Sequence, residues 1–224
     1  MKALSRVVTP LIKAILSSVC RLDAGELAKV PAKGPLIVVM NHINFLEVPL
    51  IYALLYPRPA VGLVKRETWK NPLLRALANI WEAIPIDRAG TDLSAMRRAL
   101  AVLEAGGILL VAPEGTRSGH GRLQKGHGGV IQLAVRSGAP IMPVVHWGGE
   151  SFWVKLKKAR RTAVHFKVGE AFTITPGSAS LSRTSREKAI DEVMRRIAAL
   201  LPEGYRGVYS APPLSPERHL EGLA

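Results

Sequence analysis

The segment Asn41-His42-Ile43-Asn44-Phe45-Leu46-Glu47 sets an imidazole and a carboxylate five positions apart. A neutral histidine can take a proton from a substrate hydroxyl. A carboxylate folded back through a turn can accept from its other ring nitrogen, which holds the tautomer and stabilises the imidazolium that forms. The unreactive alternative is a helix-capping Asn beside a satisfied surface His. A second polar cluster, Pro113-Glu114-Gly115-Thr116-Arg117-Ser118, supplies groups for binding. Gly115 lets backbone approach a ligand, and Arg117 can grip a phosphate through two parallel hydrogen bonds. The plain alternative there is a polar turn with an exposed Arg.

Each cluster follows a short apolar run, residues 36–40 for the first and 108–112 for the second. Such runs read as buried strands. Further strands are expected at 60–64, 84–86, 141–145 and 163–168. A helix is expected from near Pro49, ended by Pro57 and Pro59, and another at 73–80 after Asn71-Pro72. Thr91-Asp92 reads as the cap of a helix running to Ala105, with Gly106-Gly107 as its stop. Residues 128–137 and 183–201 complete the helices. Strands alternating with helices predict an α/β fold, a mainly parallel central sheet flanked by helices. Ligands bind at the carboxyl ends of strands in such a sheet, where both polar clusters fall. Together the clusters point to one shared crevice.

The chain of 224 residues suffices for one sizeable α/β domain, and 48% hydrophobic residues exclude global disorder. Lys and Arg number 31 against 17 Asp and Glu, a net charge of +14 that calls for an anionic partner. Phospholipid surface, phosphorylated substrate and nucleic acid all qualify. No nucleic-acid motif is present and aromatics are few for base stacking, so nucleic acid is not an expected partner. A non-catalytic basic module on membrane or nucleic acid is the reading from a different class. The single cysteine, Cys20, excludes a disulfide within the chain, fits a reducing cytoplasm and reads as a packing residue.

Leu4, Val8, Leu11, Ile12, Ile15 and Val19 recur at helical spacing beside Lys2, Arg6, Lys13 and Arg21. The run is too short to span a bilayer, and no signal-peptide cleavage pattern follows it. Residues 1–24 are therefore expected to form an amphipathic helix lying in the headgroup layer, with packing on the core as the alternative. Residues 25–204 would form the α/β domain, and 205–224, rich in Pro and Gly, an extended tail. The basic run at 155–161 follows Phe152-Trp153, a pattern suited to a headgroup interface or to a solvated loop.

These blocks, taken in order, resemble the PlsC-type 1-acyl-sn-glycerol-3-phosphate acyltransferase family over residues 33 to 175. The family's first block, Asn-His-four residues-Asp, corresponds to Asn41-His42 with Glu47. Its second corresponds to Val64-Lys65-Arg66-Glu67 and Ile84-Pro85-Ile86-Asp87-Arg88, its third to Glu114 through Ser118, and its fourth to Ala139-Pro140-Ile141-Met142-Pro143-Val144. Glu47 departs from the family's Asp; one more methylene still reaches an imidazole, with Asn44 and Glu114 as substitute partners. The resemblance implies fatty acyl transfer from acyl-CoA or acyl carrier protein to the hydroxyl of lysophosphatidate, at the cytoplasmic face of a membrane. Another lysophospholipid, glycerol-3-phosphate or a glycolipid is the alternative acceptor. His42 would be the general base, with Glu47 behind it. Lys65 and the Gly115 N–H would stabilise the oxyanion. Arg117, assisted by Arg88 and by Glu114, Gly115 and Thr116, would hold the acceptor phosphate. No cofactor and no metal is implied; His120 and His127 lack the clustered ligands a metal needs.

Overall fold

The computed structural model describes residues 4–87, 90, 92–174, 182–211 and 221–222. In chain order its elements are α1 (Ser5–Val19), β1 (Cys20–Asp23), β2 (Leu36–Val39), α2 (Glu47–Leu55), β3 (Ala60–Lys65), α3 (Pro72–Ile80), β4 (Ile84–Ile86) and α4 (Leu93–Glu104). There follow β5 (Ile108–Val111), α5 (Gly129–Ser137), β6 (Ile141–Trp147), α6 (Phe152–Lys157), β7 (Thr162–Val168), β8 (Phe172–Thr173), α7 (Arg183–Leu200) and β9 (Glu221–Gly222). The sheet runs β1-β7-β6-β2-β5-β3-β4, with β8 against β6 and β9 against β8. From β6 through β2, β5 and β3 to β4 every pair is parallel. The β6–β7 pair is antiparallel, so the sheet is mainly parallel with a reversed margin.

Strand alternation divides the core into two layers. Ile37, Val39, Leu109 and Val111 face α4, α5 and α7. Leu36, Val38, Leu110 and Met142 face α2 and the inner side of α1. The helices begin where local chemistry provides a cap. Asn71 accepts from the Leu74 N–H ahead of α3, with Pro72 in its first turn, and Asp92 accepts from the Ala95 N–H ahead of α4. Gly138, at φ 66°, ends α5 in the left-handed region. Thr91, the other residue of the expected α4 cap, lies outside the described residues.

Three expectations need correction. First, residue 24 does not bound a separate helix: α1 stops at Val19, and Cys20–Asp23 pair in parallel with β7. Cys20 is fully buried there as a packing residue. Second, the chain from Tyr205 does not leave the domain at once. The Leu123 N–H donates to the Tyr205 carbonyl, the Val208 N–H to the Leu123 carbonyl, and Tyr209 is buried. Residues 212–220 lie outside the described set. Third, the basic run at 155–161, read as an interface or a solvated loop, is helical as far as Lys157, with a turn at 158–159.

α1 buries Leu16 in the core, yet it also turns polar groups inward and an apolar row outward. Ser5 and Thr9 are buried, and the Thr9 hydroxyl accepts from the Trp81 indole N–H at 3.0 Å. Leu4, Val7, Leu11 and Ile15 are each more than half exposed. Among the described residues no helix is long and apolar enough to cross a membrane.

Candidate active site

The parallel register of β2 and β5 aligns Val39 with Val111. The two polar clusters therefore leave the sheet side by side. The Ser118 N–H donates to the His42 carbonyl and the Gly119 N–H to the Ile43 carbonyl, both at 2.8 Å, which stitches the clusters together. Glu114 Oε1 accepts the His42 backbone N–H at 2.7 Å and its Oε2 the Gln124 N–H at 2.9 Å.

Glu47 opens α2, two residues earlier than the helix expected from Pro49. The Asn44 side chain accepts from the Leu46 N–H, a turn that brings residue 47 back under residue 42. Glu47 Oε1 pairs with His42 Nδ1. Its Oε2 accepts the N–H groups of Ile43 at 2.9 Å and Asn44 at 3.0 Å. The His42 Nδ1–H therefore points at the carboxylate, leaving Nε2 as the basic nitrogen of a ring that lines the cleft. Burial pushes the Glu47 carboxyl up, but His146 and then His42 outweigh it and hold it at about 2. The carboxylate is thus ionised at neutral pH.

A cavity of about 940 Å³ opens beside this pair. Its polar end carries His42, Lys65, Thr116, Arg117 and His127. Apolar side chains from β3, α3 and α4, among them Leu63, Leu74, Leu77, Trp81 and Met96, form much of the rest, beside the charged groups Glu67, Asp92 and Glu187. Arg117 is exposed and forms no ion pair among the described residues. Arg183 and Arg186 line the same cavity from the start of α7, a contribution that sequence spacing does not reveal.

Two expected roles do not fit the geometry. The Gly115 N–H donates to the Ala112 carbonyl at 3.0 Å, closing the tight turn that its φ of 66° permits. It is not free for an oxyanion, whereas the amides of Thr116 and Arg117 donate to no acceptor among the described residues. Glu114 is 1% exposed, and both of its oxygens serve backbone N–H groups. Burial raises its carboxyl above the usual range, against the pull of the His42 and Gln124 N–H groups. It holds the loops together, its two oxygens engaged by backbone where it borders the cavity. Arg88 lies outside the described residues. His127 lines the cavity, His120 does not, and no group of three metal-ligating side chains gathers among the described residues.

His146 belongs to no motif in the sequence. It is 3% exposed on β6, behind Glu47. The signal that could find it is strand parity: Met142 and Val144 face the α2 side of the sheet, and residue 146 continues that row.

A family model described as Acyltransferase matches residues 21–147, more than half of the chain. The chain belongs to this acyltransferase family. It is 34% identical over 122 residues to a 1-acyl-sn-glycerol-3-phosphate acyltransferase of Limnanthes alba, covering 53% of this chain and 43% of that protein. It is 32% identical over 113 residues to a lyso-ornithine lipid O-acyltransferase of Pseudomonas aeruginosa, covering 50% of this chain and 43% of the relative. The chain spans about half the length of the curated relatives it matches. The crystal structure of the 1-acyl-sn-glycerophosphate acyltransferase PlsC from Thermotoga maritima shares the fold, with a TM-score of 0.59 and 23% identity. That alignment covers 88% of this chain and 82% of the other. The acyltransferase match takes in His42, Glu47, Lys65 and the 114–117 turn, and reaches His146 on β6.

Proposed function

We propose that this acyltransferase moves a fatty acyl group from acyl-CoA or acyl carrier protein to the free hydroxyl of lysophosphatidate, giving phosphatidate. The observation that carries this reading is the His42–Glu47 pair beside a large cavity with an extensive apolar wall. The apolar walls suit an acyl chain, and the cationic rim suits a phosphate.

His42 Nε2 takes the proton from the acceptor hydroxyl as its oxygen attacks the thioester carbon. A C–O bond forms, and the carbonyl electrons move to an oxyanion. Lys65, half-buried at the end of β3, offers a positive charge to that oxyanion. The tetrahedral intermediate then collapses, the C–S bond breaks, and the thiolate takes its proton from the His42 imidazolium. Glu47 stays ionised throughout and stabilises that imidazolium. The donor is already activated, so an enzyme nucleophile has no task here.

The acceptor lives in a lipid layer, and two surfaces suit an anionic membrane. One is the exposed row Leu4, Val7, Leu11 and Ile15 of α1. The other is α6, where exposed Trp153, Val154 and Leu156 alternate with Lys155 and Lys157. Arg161, expected among the lipid-binding charges, instead donates to the carbonyls of Ser17 and Cys20. It joins the end of α1 to the margin of the sheet. A peripheral seat on the cytoplasmic face follows from this reading.

The test is thiol release from acyl-CoA, with lipid product analysis, over lysophosphatidate, other lysophospholipids, a lyso-ornithine lipid and glycerol-3-phosphate. Lysophosphatidate should be acylated fastest, and His42→Ala should lower turnover by about two to four decades. Release that ignores the acceptor, or a folded His42→Ala variant near wild-type rate, would sink the proposal.

A further inference from the structure

Behind the catalytic pair lies a second imidazole that the reaction does not use. His146 does not line the cavity. Asn41 clamps its backbone from both sides: the Asn41 side-chain N–H donates to the His146 carbonyl at 2.9 Å, and Asn41 Oδ1 accepts the His146 N–H at 3.0 Å. The ring is held as firmly. Its Nε2 lies 3.0 Å from the Asn41 carbonyl oxygen and 3.2 Å from Glu47 Oε2. Both neighbours are acceptors, so Nε2 carries a proton and donates to them. The Glu47 carboxylate therefore has an imidazole on each oxygen, His42 on Oε1 and His146 on Oε2.

We propose that His146 is a positioning residue for the His42–Glu47 pair: it holds the carboxylate from behind and, by gaining or losing a proton at Nδ1, sets how much of the Glu47 charge is left for His42. The chemistry follows from charge counting. One carboxylate can fully compensate one imidazolium. When His146 is charged, Glu47 is already neutralised and protonation of His42 is disfavoured. When His146 is neutral, the whole charge stabilises the His42 imidazolium.

The surroundings make this coupling local. Glu47 arrives from the start of α2, His42 from the loop after β2, and Glu150 from the turn after β6. Glu114, the remaining buried acid, holds the His42 N–H. From β7 the neighbour is Phe166, whose ring lies 5.9 Å from that of His146 and carries no charge. Burial pulls the His146 ring below its usual range, but Glu47, helped by the Asn41 carbonyl and Glu150, raises it overall. Burial and the flanking acids thus act on the ring in opposite senses, and the acids prevail.

The kinetic arm of the test rests on the acyl-transfer reading; the spectroscopic arm does not. Histidine imidazole resonances are followed by NMR against pH in the full chain, wild type and His146→Gln. Glutamine keeps an N–H donor near the Nε2 position and cannot titrate. The His42 midpoint should rise by about one pH unit in His146→Gln. The acid limb of kcat/KM should rise with it, while the melting temperature holds. A His42 midpoint that does not move overturns the proposal, because a purely structural role predicts just that. Should His146→Gln not fold, the reciprocal variant decides: in His42→Ala the His146 midpoint must shift, and an unchanged midpoint overturns the coupling. His146→Phe, which removes the donor, should lower kcat by about tenfold with KM unchanged. Wild-type protein that transfers no acyl group would sink the proposed reaction, while the NMR midpoints would still decide the coupling.

Discussion

Glu114 Oε1 accepts the backbone N–H of His42 at 2.7 Å, across 72 positions of sequence. The third block of the family resemblance is therefore a splint for the first. Its carboxylate fixes the peptide from which the proposed general base, His42, projects, while Ser118 and Gly119 secure the two carbonyls that follow.

Glu114→Gln replaces one of two acceptor oxygens with a donor, so either the His42 or the Gln124 N–H loses its partner. The substitution should destabilise the fold by about 1–3 kcal/mol. It should lower kcat while leaving the acceptor KM nearly unchanged. Chemical denaturation beside steady-state kinetics checks both, and a rise confined to KM would instead restore Glu114 as a binding residue.

Glu47 and Glu114 should pull the stability–pH curve in opposite directions. Glu47 is held at about 2, below its ordinary 4.5, so its contribution is present above pH 4.5 and is lost as pH falls toward 2. The Glu114 carboxyl is raised, so its contribution is present below its ordinary 4.5 and is lost as pH rises through the raised value. Glu47→Gln should flatten the acid side of the curve and remove most of the activity, since an amide offers imidazolium no charge. Glu47→Asp should keep substantial activity. Equal rates for Gln and Glu would dismiss the pairing with His42.

Arg117 stands exposed at the cavity rim with no ion pair among the described residues, a guanidinium available to a phosphate. Arg117→Ala should raise the acceptor KM more than it lowers kcat. Arg117→Lys should recover part of the loss, because a point charge lacks the two-pronged geometry. An acceptor without phosphate should be indifferent to both changes; equal sensitivity would make Arg117 a structural residue.

Removing residues 1–24 would delete β1 together with α1, so truncation cannot isolate membrane binding. Leu11→Glu and Ile15→Glu alter only the outward row of α1. Each should weaken binding to anionic vesicles without moving the melting transition. Wild-type binding should fall with salt yet persist, since apolar insertion is not screened. Unchanged co-sedimentation of the double variant would reject α1 as the contact.

Much of this architecture is legible in the sequence because its signals are local. The runs at 36–40 and 108–112 declare buried strands, and Asp92 and Gly138 punctuate helices at the positions they occupy. The pairing of His42 with Glu47 is also local, five residues through one turn. What escapes is either too short to show a period or is decided at long range. β1 has four residues, and its partner lies some 140 positions on, at β7. The Gly115 N–H is spent within its own turn, which residue type alone does not disclose. His146 acquires meaning only when β6 settles against β2 and brings it behind Glu47.

Trp81 belongs to three structures at once. Its ring stacks on Tyr52 at 4.4 Å, its face lines the acyl-sized cavity, and its N–H is bonded to Thr9 of α1. Of the chain's four tryptophans it alone is buried, at 7% exposure, while Trp153 stands in solvent. The protein thus carries a native fluorophore at the seam between its surface helix and its cavity. As the most buried indole it contributes the bluest part of the emission, and a Trp81-dependent change in wavelength or lifetime registers filling of the cavity or lifting of the helix without any label.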